Sequence, residues 1–243
     1  MIIVEEETSP NSLIKYRNDS SISPVNEEMR IVDEEITKME RMYATAYDDV
    51  MMDHHYRYHL ALSFIRKGDF VLDVACGSGY GTHYMAKNSD GALFVGVDRS
   101  DHGLEWARSY FFNDSTVYVK ADLTGAFFEA LPVDSYDLVV CYETVEHLKE
   151  DRAFVKKLHA LLKAGGILLI SAPNENVIPY LDNPYFPNRV NPHHYRHYRP
   201  KELRQLLTKC GFTVQQTLTQ DNSTYEVVPG REDGFTTILV ATK

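Results

Sequence analysis

Residues 72–81 read LDVACGSGYG. The apolar run Phe70-Val71-Leu72 enters this stretch with strand character, and Gly77, Gly79 and Gly81 leave it at alternate positions. A strand that ends in a glycine turn and feeds a helix (GTHYMAKN, 81–88) is the first half of a βαβ unit. The rest of the chain repeats the alternation. Strand-like runs are FVLDVA, ALFVGVD, TVYVKA, YDLVVCY, GILLISAP, FTVQQTL and TTILVAT. Between them lie the helix-like HGLEWARSYFF, EDRAFVKKLHALLKAG and PKELRQLLTKCG. Apolar strands separated by amphipathic helices predict an α/β fold, a doubly wound parallel sheet covered on both faces. The last two runs follow one another without a helix, which predicts an antiparallel pair closing the sheet edge.

The chain of 243 residues suits one core plus an appended segment. Residues 1–25 are polar, with NDSS and two prolines, and read as a flexible tail. Residues 26–68 read as a helical segment: Asn26 is a candidate N-cap, and Ile31, Ile36, Met39 and Tyr43 recur on one side. That helix either caps the site or forms the face of a homodimer. Residues 69–243 hold the α/β domain, with an insert at about 174–200. No apolar run is long enough to span a bilayer, so no membrane partner is expected. The start, MIIVEEETSP, carries acid where a secretory signal carries base, and a cytoplasmic location is expected. The net charge of −10 argues against a nucleic-acid partner. Cys76, Cys141 and Cys210 lie far apart, without the spacing of a disulfide framework or thiolate metal site.

In open sheets of this kind ligands sit at the carboxyl ends of the strands, where strand order reverses. The dinucleotide fingerprint G-x-G-x-x-G would place a third glycine where this chain has Thr82, and Asp73 would oppose a pyrophosphate. Strand two ends in Asp98, placed to accept from both hydroxyls of a ribose. Strand three ends in Ala121-Asp122-Leu123, an acid for an exocyclic amine and an apolar flank for a flat base. Together these describe a nucleoside whose other end is cationic, and an amino acid sulfonium fits.

This constellation resembles the class I S-adenosylmethionine-dependent methyltransferases. The resemblance runs from about Arg57 to Lys243 and implies a seven-stranded Rossmann-like sheet with its last strand antiparallel. It implies S-adenosyl-L-methionine as cofactor, its methionine portion carried by Gly77, Ser78 and Gly79 with Asp73 nearby. Asp98 and Arg99 would serve the ribose, Asp122 and Leu123 the adenine, with Cys141 on the same side. Arg57 would pair with the methionine carboxylate; a surface arginine is the other reading. Within the superfamily the chain is similar to small-molecule methyltransferases of bacterial glycan assembly, through HHYRYHLA, ACGSGYG, ETVEHLKEDRAF and NPHHYRHYRPKELRQLL. In the last stretch Asn191, Pro192, His194, Tyr198, Glu202 and Leu203 match the family's series. This implies a small-molecule acceptor: a sugar, a nucleotide-sugar or a glycan-linked phosphate.

Methyl transfer from a sulfonium is an in-line displacement, so the nucleophile must lie roughly 3 Å from the methyl carbon. A hydroxyl gains from a positioned base, and histidine titrates near working pH. His147, after strand four, is the first candidate; a helix-start residue bonded to a nearby carbonyl is the alternative. His194, on the insert, either transfers the proton or pins the insert. Tyr80, Glu143, Tyr195 and Tyr198 are candidate acceptor contacts, and Glu143 and Glu146 could orient His147. His193, His194 and His197 show no partner carboxylate set, so no metal is expected. A phenol or amine acceptor, a non-catalytic cofactor-binding module and a nicotinamide dehydrogenase are the rival readings. Asp73 and Thr82 weigh against the last.

Overall fold

The computed structural model describes residues 42–243, with Ala126 and Phe127 by backbone alone. The expected tail and the helix from Asn26 up to residue 41 lie outside the described residues.

The elements run α1 (Met52–Leu62), β1 (Phe70–Val74), α2 (Tyr80–Lys87), β2 (Leu93–Asp98), α3 (Asp101–Tyr110), β3 (Thr116–Lys120) and α4 (Ala126–Glu129). Then come β4 (Tyr136–Cys141), α5 (Asp151–Leu161), β5 (Leu162–Pro173), α6 (Pro200–Lys209), β6 (Thr213–Gln220), β7 (Val227–Pro229) and β8 (Thr236–Thr242). The strands form one sheet in the order β3-β2-β1-β4-β5-β8-β6-β7. β1 to β5 pair in parallel, and β8 is antiparallel to both of its neighbours.

Three expectations change here. The sheet has eight strands among the described residues, not seven. The final strand is antiparallel as expected, but it sits between β5 and β6, and the edge belongs to β7. β7 offers three half-exposed or exposed residues ending in Pro229, too short for a period to show. The helix expected through ALLKAG stops at Leu161, and Leu162 is already extended. Leu162 pairs with Tyr136, and the register shifts before Leu138 meets Ile167, so sheet pairing captures residues whose local sequence favours helix.

Both faces of the sheet are buried. Along β1, Leu72 and Val74 join one apolar cluster with Val95, Leu158 and Leu207. Val71 points the other way, into a cluster with Phe94, Leu138, Tyr58 and Met85. This is the burial that near-continuous apolar strands require, and each fully buried Leu or Val contributes about 1.5–3 kcal/mol. β1 lies between β2 and β4, so strand order reverses beside it, and the loops after these three strands converge there.

Candidate functional site

A cavity of about 650 Å³ opens at this convergence. Its wall includes twelve of the sixteen base, cofactor and acceptor candidates named above: Arg57, Gly77, Ser78, Tyr80, Asp98, Arg99, Asp122, Leu123, Glu143, His147, His194 and Tyr195. Asp73, Gly79, Cys141 and Tyr198 are not on the wall. Cys141 is fully buried in the sheet core, and the Tyr198 hydroxyl donates to Asp151 at 2.8 Å, pinning the insert to α5.

The glycine loop is held open from two sides. Ala75, Gly77 and Gly79 all take left-handed backbone, with φ of 59°, 59° and 85°. A side chain on Gly77 would meet no atom within 4 Å, so the space it would fill belongs to the cavity. Gly79 faces inward instead: a Cβ there would lie 2.4 Å from the Ala107 Cβ. One glycine leaves open space beside the cavity and the other lets α3 approach the loop. The Gly77 amide donates to Asp98 Oδ2 at 2.9 Å, and the Ser100 amide to Oδ1 at 2.8 Å. Asp98 thereby ties the first loop to the start of α3, at the strand end where the vicinal hydroxyls of a ribose would be met. Asp122 Oδ1 accepts from the Thr124 hydroxyl and amide, at 2.7 and 2.8 Å, which lowers its pKa and keeps it charged. These groups fit an adenosyl ligand. Asp98→Ala is expected to weaken S-adenosylmethionine binding by roughly 1–3 kcal/mol, through the ribose hydroxyls left unpaired. Calorimetry giving an unchanged Kd would remove the ribose assignment.

Asp73 lies behind the loop rather than on its open side. It accepts from the Thr82 hydroxyl at 2.6 Å and faces the Tyr58 hydroxyl at 3.3 and 3.4 Å. Thr82, which looked like a departure from a glycine fingerprint, is thus the partner of this buried acid. Burial pushes the Asp73 carboxyl up to about 7, and nearby Asp98 adds to it against the two hydrogen bonds. The folded chain therefore binds a proton there that the unfolded chain gives up near pH 4. That contribution to stability is fully present below about pH 4 and is lost as pH rises through about 7. Asp73→Asn should flatten this part of the stability–pH curve, read by chemical denaturation between pH 5 and 8. A cationic ligand end in the cavity would favour the ionised form, so binding near neutral pH should release protons. Calorimetry in buffers of different ionisation enthalpy measures that release; none, or uptake, would contradict it.

Arg57 is buried, against the surface reading. Its guanidinium donates to Gln220 Oε1 at 2.8 Å and to Asp53 at 3.1 Å. Burial opposes its charge, but Glu143 and Asp53 outweigh it and the net shift is upward. Glu143 sits at a left-handed φ of 45° after β4, with Oε1 accepting from Ser171 at 2.6 Å. Burial raises its carboxyl, with Arg57 and Ser171 opposing. Strained backbone of this kind costs about 1–3 kcal/mol and clusters at functional sites. The Tyr80 hydroxyl shares a 2.5 Å hydrogen bond with His54 Nδ1, and burial followed by Arg57 holds His54 down at about 4.

The histidines are oriented through their far nitrogens. His147 Nδ1 donates to the His193 carbonyl at 3.1 Å, so the neutral ring carries its lone pair at Nε2. His197 Nδ1 donates to the Ile178 carbonyl at 2.6 Å, which leaves its Nε2 to accept from His194 Nδ1 at 2.7 Å. The neutral His194 ring then also carries its lone pair at Nε2. The two rings meet edge to face, centroids 4.5 Å apart. Burial and the neighbouring imidazoles hold His194 down at about 3. Spacing in the sequence joined Glu146 to His147 but not to His194: Glu146 comes from the short 3-10 turn Val145–His147, whereas His194 comes from the insert. Tyr195 N donates to the Glu146 carbonyl at 2.8 Å and Arg196 Nη2 to that of Lys149 at 2.8 Å, which brings insert and turn together. Of the insert histidines, His194 thereby comes into one cluster with a carboxylate, that of Glu146.

Comparison with known proteins agrees with this geometry. The chain is 32% identical over 154 residues to an S-adenosylmethionine-dependent methyltransferase of Mycolicibacterium smegmatis, covering 62% of this chain and 54% of the relative. It is 34% identical over 114 residues to the ubiquinone biosynthesis O-methyltransferase of Vibrio vulnificus, covering 47% of this chain and 48% of the relative. The chain thus spans about half the length of these curated relatives. An S-adenosylmethionine-dependent methyltransferase from Mesorhizobium loti shares the fold, with TM-score 0.61 at 15% identity over 82% of this chain and 100% of that one. No described helix is long and apolar enough to cross a membrane. Residues 50–217 match the methyltransferase domain family Methyltransf_23, and the chain belongs to these class I methyltransferases, whose cofactor is S-adenosyl-L-methionine.

Proposed function

We propose that the protein is an O-methyltransferase that acts on a hydroxyl of a small polar acceptor, in the first place a sugar, a nucleotide-sugar or a glycan-linked phosphate. The observation that carries this reading is the fixed tautomer of two imidazoles on the wall of the cavity that also holds Gly77 and Asp98. When bound, S-adenosylmethionine supplies an electrophilic methyl group. The residues of this chain do the rest. Asp98, Asp122 and Leu123 hold the nucleoside, and buried Arg57 faces the carboxylate of the methionine portion. His147 directs its Nε2 lone pair toward the acceptor side and assists loss of the hydroxyl proton as the new bond forms, while His194, held down at about 3, stays neutral beside it. Glu143, Tyr80 and Tyr195 orient the acceptor; Tyr198 supports the insert from behind.

The ubiquinone biosynthesis O-methyltransferases among the relatives raise a phenol as the second reading. The wall formed by Lys149, His193, His194 and Tyr195 favours the polar acceptor over an apolar ring. Turnover tests the choice. Purified protein with saturating donor should methylate a member of a sugar, nucleotide-sugar and glycan-phosphate panel and leave quinone-like phenols unmodified. Cofactor binding with methylation of phenols alone would overturn the acceptor assignment.

A further inference from the structure

We propose that Glu146, His147 and His194 bind one divalent first-row transition cation of the Zn²⁺ or Mn²⁺ class. Its catalytic role rests on the O-methyltransferase reading above; its existence as a site does not. One ligand atom from each residue lies within 4.8 Å of the other two. Metal bonds of about 2.0–2.2 Å place neighbouring ligands roughly 3–3.5 Å apart, so a modest inward movement closes the set. His147 is part-exposed and its Nε2 already lies 4.0 Å from Glu146 Oε1.

The second observation concerns the far side of each ring. Histidine ligands characteristically donate their other N–H to a carbonyl or carboxylate, which fixes the ring and points a lone pair at the metal. Both rings here have that arrangement, His147 directly on the His193 carbonyl and His194 through His197 on the Ile178 carbonyl. Two imidazoles with one carboxylate suit zinc, manganese or iron, whereas calcium and magnesium prefer all-oxygen sets. Three protein ligands leave coordination positions open, and His147 and His194 stand on the cavity wall.

A cation there would take the acceptor hydroxyl as a further ligand and lower its pKa. The imidazoles then assist proton loss by holding the cation, not by taking the proton themselves. The hydroxyl proton passes to water, the oxygen–methyl bond forms as the methyl–sulfur bond breaks, and the sulfonium leaves as a neutral thioether.

The test titrates chelator-treated full-length protein with Co²⁺. A visible d–d spectrum should saturate at one equivalent and be displaced by Zn²⁺. His147→Ala and His194→Ala should each weaken Co²⁺ binding at least tenfold, and His197→Ala should weaken it through the lost ring contact. His59→Ala, on the exposed side of α1, should leave it unchanged. Binding of S-adenosylhomocysteine reports that each variant is folded; should His194→Ala fail that check, Glu146→Gln and His147→Ala carry the test. Absence of a stoichiometric spectrum, or its retention in His147→Ala and a second ligand variant, overturns the site. Full turnover of a hydroxyl acceptor by protein that binds no Co²⁺ removes the site and leaves the O-methyltransferase reading. Stoichiometric Co²⁺ binding with no hydroxyl methylated supports the site and removes that reading.

Discussion

Replacing His147 by alanine is expected to lower kcat for methyl transfer by roughly 100- to 10,000-fold, the range for removing a group that assists proton transfer. The ring stands on the cavity wall with Nδ1 committed to the His193 carbonyl, so its contribution is made at Nε2. On the proposed reading the nucleoside is held elsewhere, by Asp98 and the Gly77 loop, so the Kd for S-adenosylmethionine should change less than about threefold. This split between kcat and Kd distinguishes a role in the reaction from a structural one. A variant that loses cofactor affinity in step with turnover would show that His147 shapes the cavity. A variant with unchanged kcat would remove the residue from the chemistry.

Gly79→Ala is expected to destabilise the fold by roughly 2–5 kcal/mol, from a left-handed backbone that alanine resists plus a collision in the core. Gly79 has φ of 85°, and its new Cβ would lie 2.4 Å from the Ala107 Cβ and 2.9 Å from the Tyr118 ring. Ala107 has no rotamer with which to retreat, and Tyr118 is fixed by hydrogen bonds to the carbonyls of Gly79 and Phe111. Relief must come from α3 moving away from the loop. Urea denaturation should show a lower midpoint with an unchanged slope. Gly77→Ala is the informative contrast: its Cβ meets nothing, so it should cost the fold less and reduce cofactor binding more. Equal stability losses for the two variants would contradict the division of labour between these glycines.

Much of the donor side was legible because it follows strand ends, and strand ends follow hydrophobic pattern. Asp98 and Asp122 fall on the cavity wall for that reason. Asp73 was legible as a residue that matters but not in its place. It lies in a strand buried on both faces, where alternation carries no sign of which side is wet. Thr82 looked like a missing glycine because a fingerprint records residue types and not the acid that a hydroxyl meets. Burial of Arg57 depends on Gln220, 163 positions away, which no local pattern reports. The same limit hid Glu146 from His194 until the insert folded back through Tyr195 and Arg196. β7 is short enough that its pairing with β6, rather than its own residues, makes it a strand.

The place of β8 has a consequence for the order in which the molecule can be made. β5 and β6 are neighbours in the chain's alternation but not in the sheet, because β8 fills the gap between them. On the ribosome, β5 is complete at Pro173, yet the second of its two partner strands begins at Thr236. Until those later residues emerge, β5 presents an unpaired, largely apolar margin in the middle of the future sheet, and β6 lacks its partner there. Exposed margins of this kind recruit other chains. Damage to β8 would therefore be felt less as a frayed edge than as a sheet divided in two, with its first five strands on one side and β6 and β7 on the other.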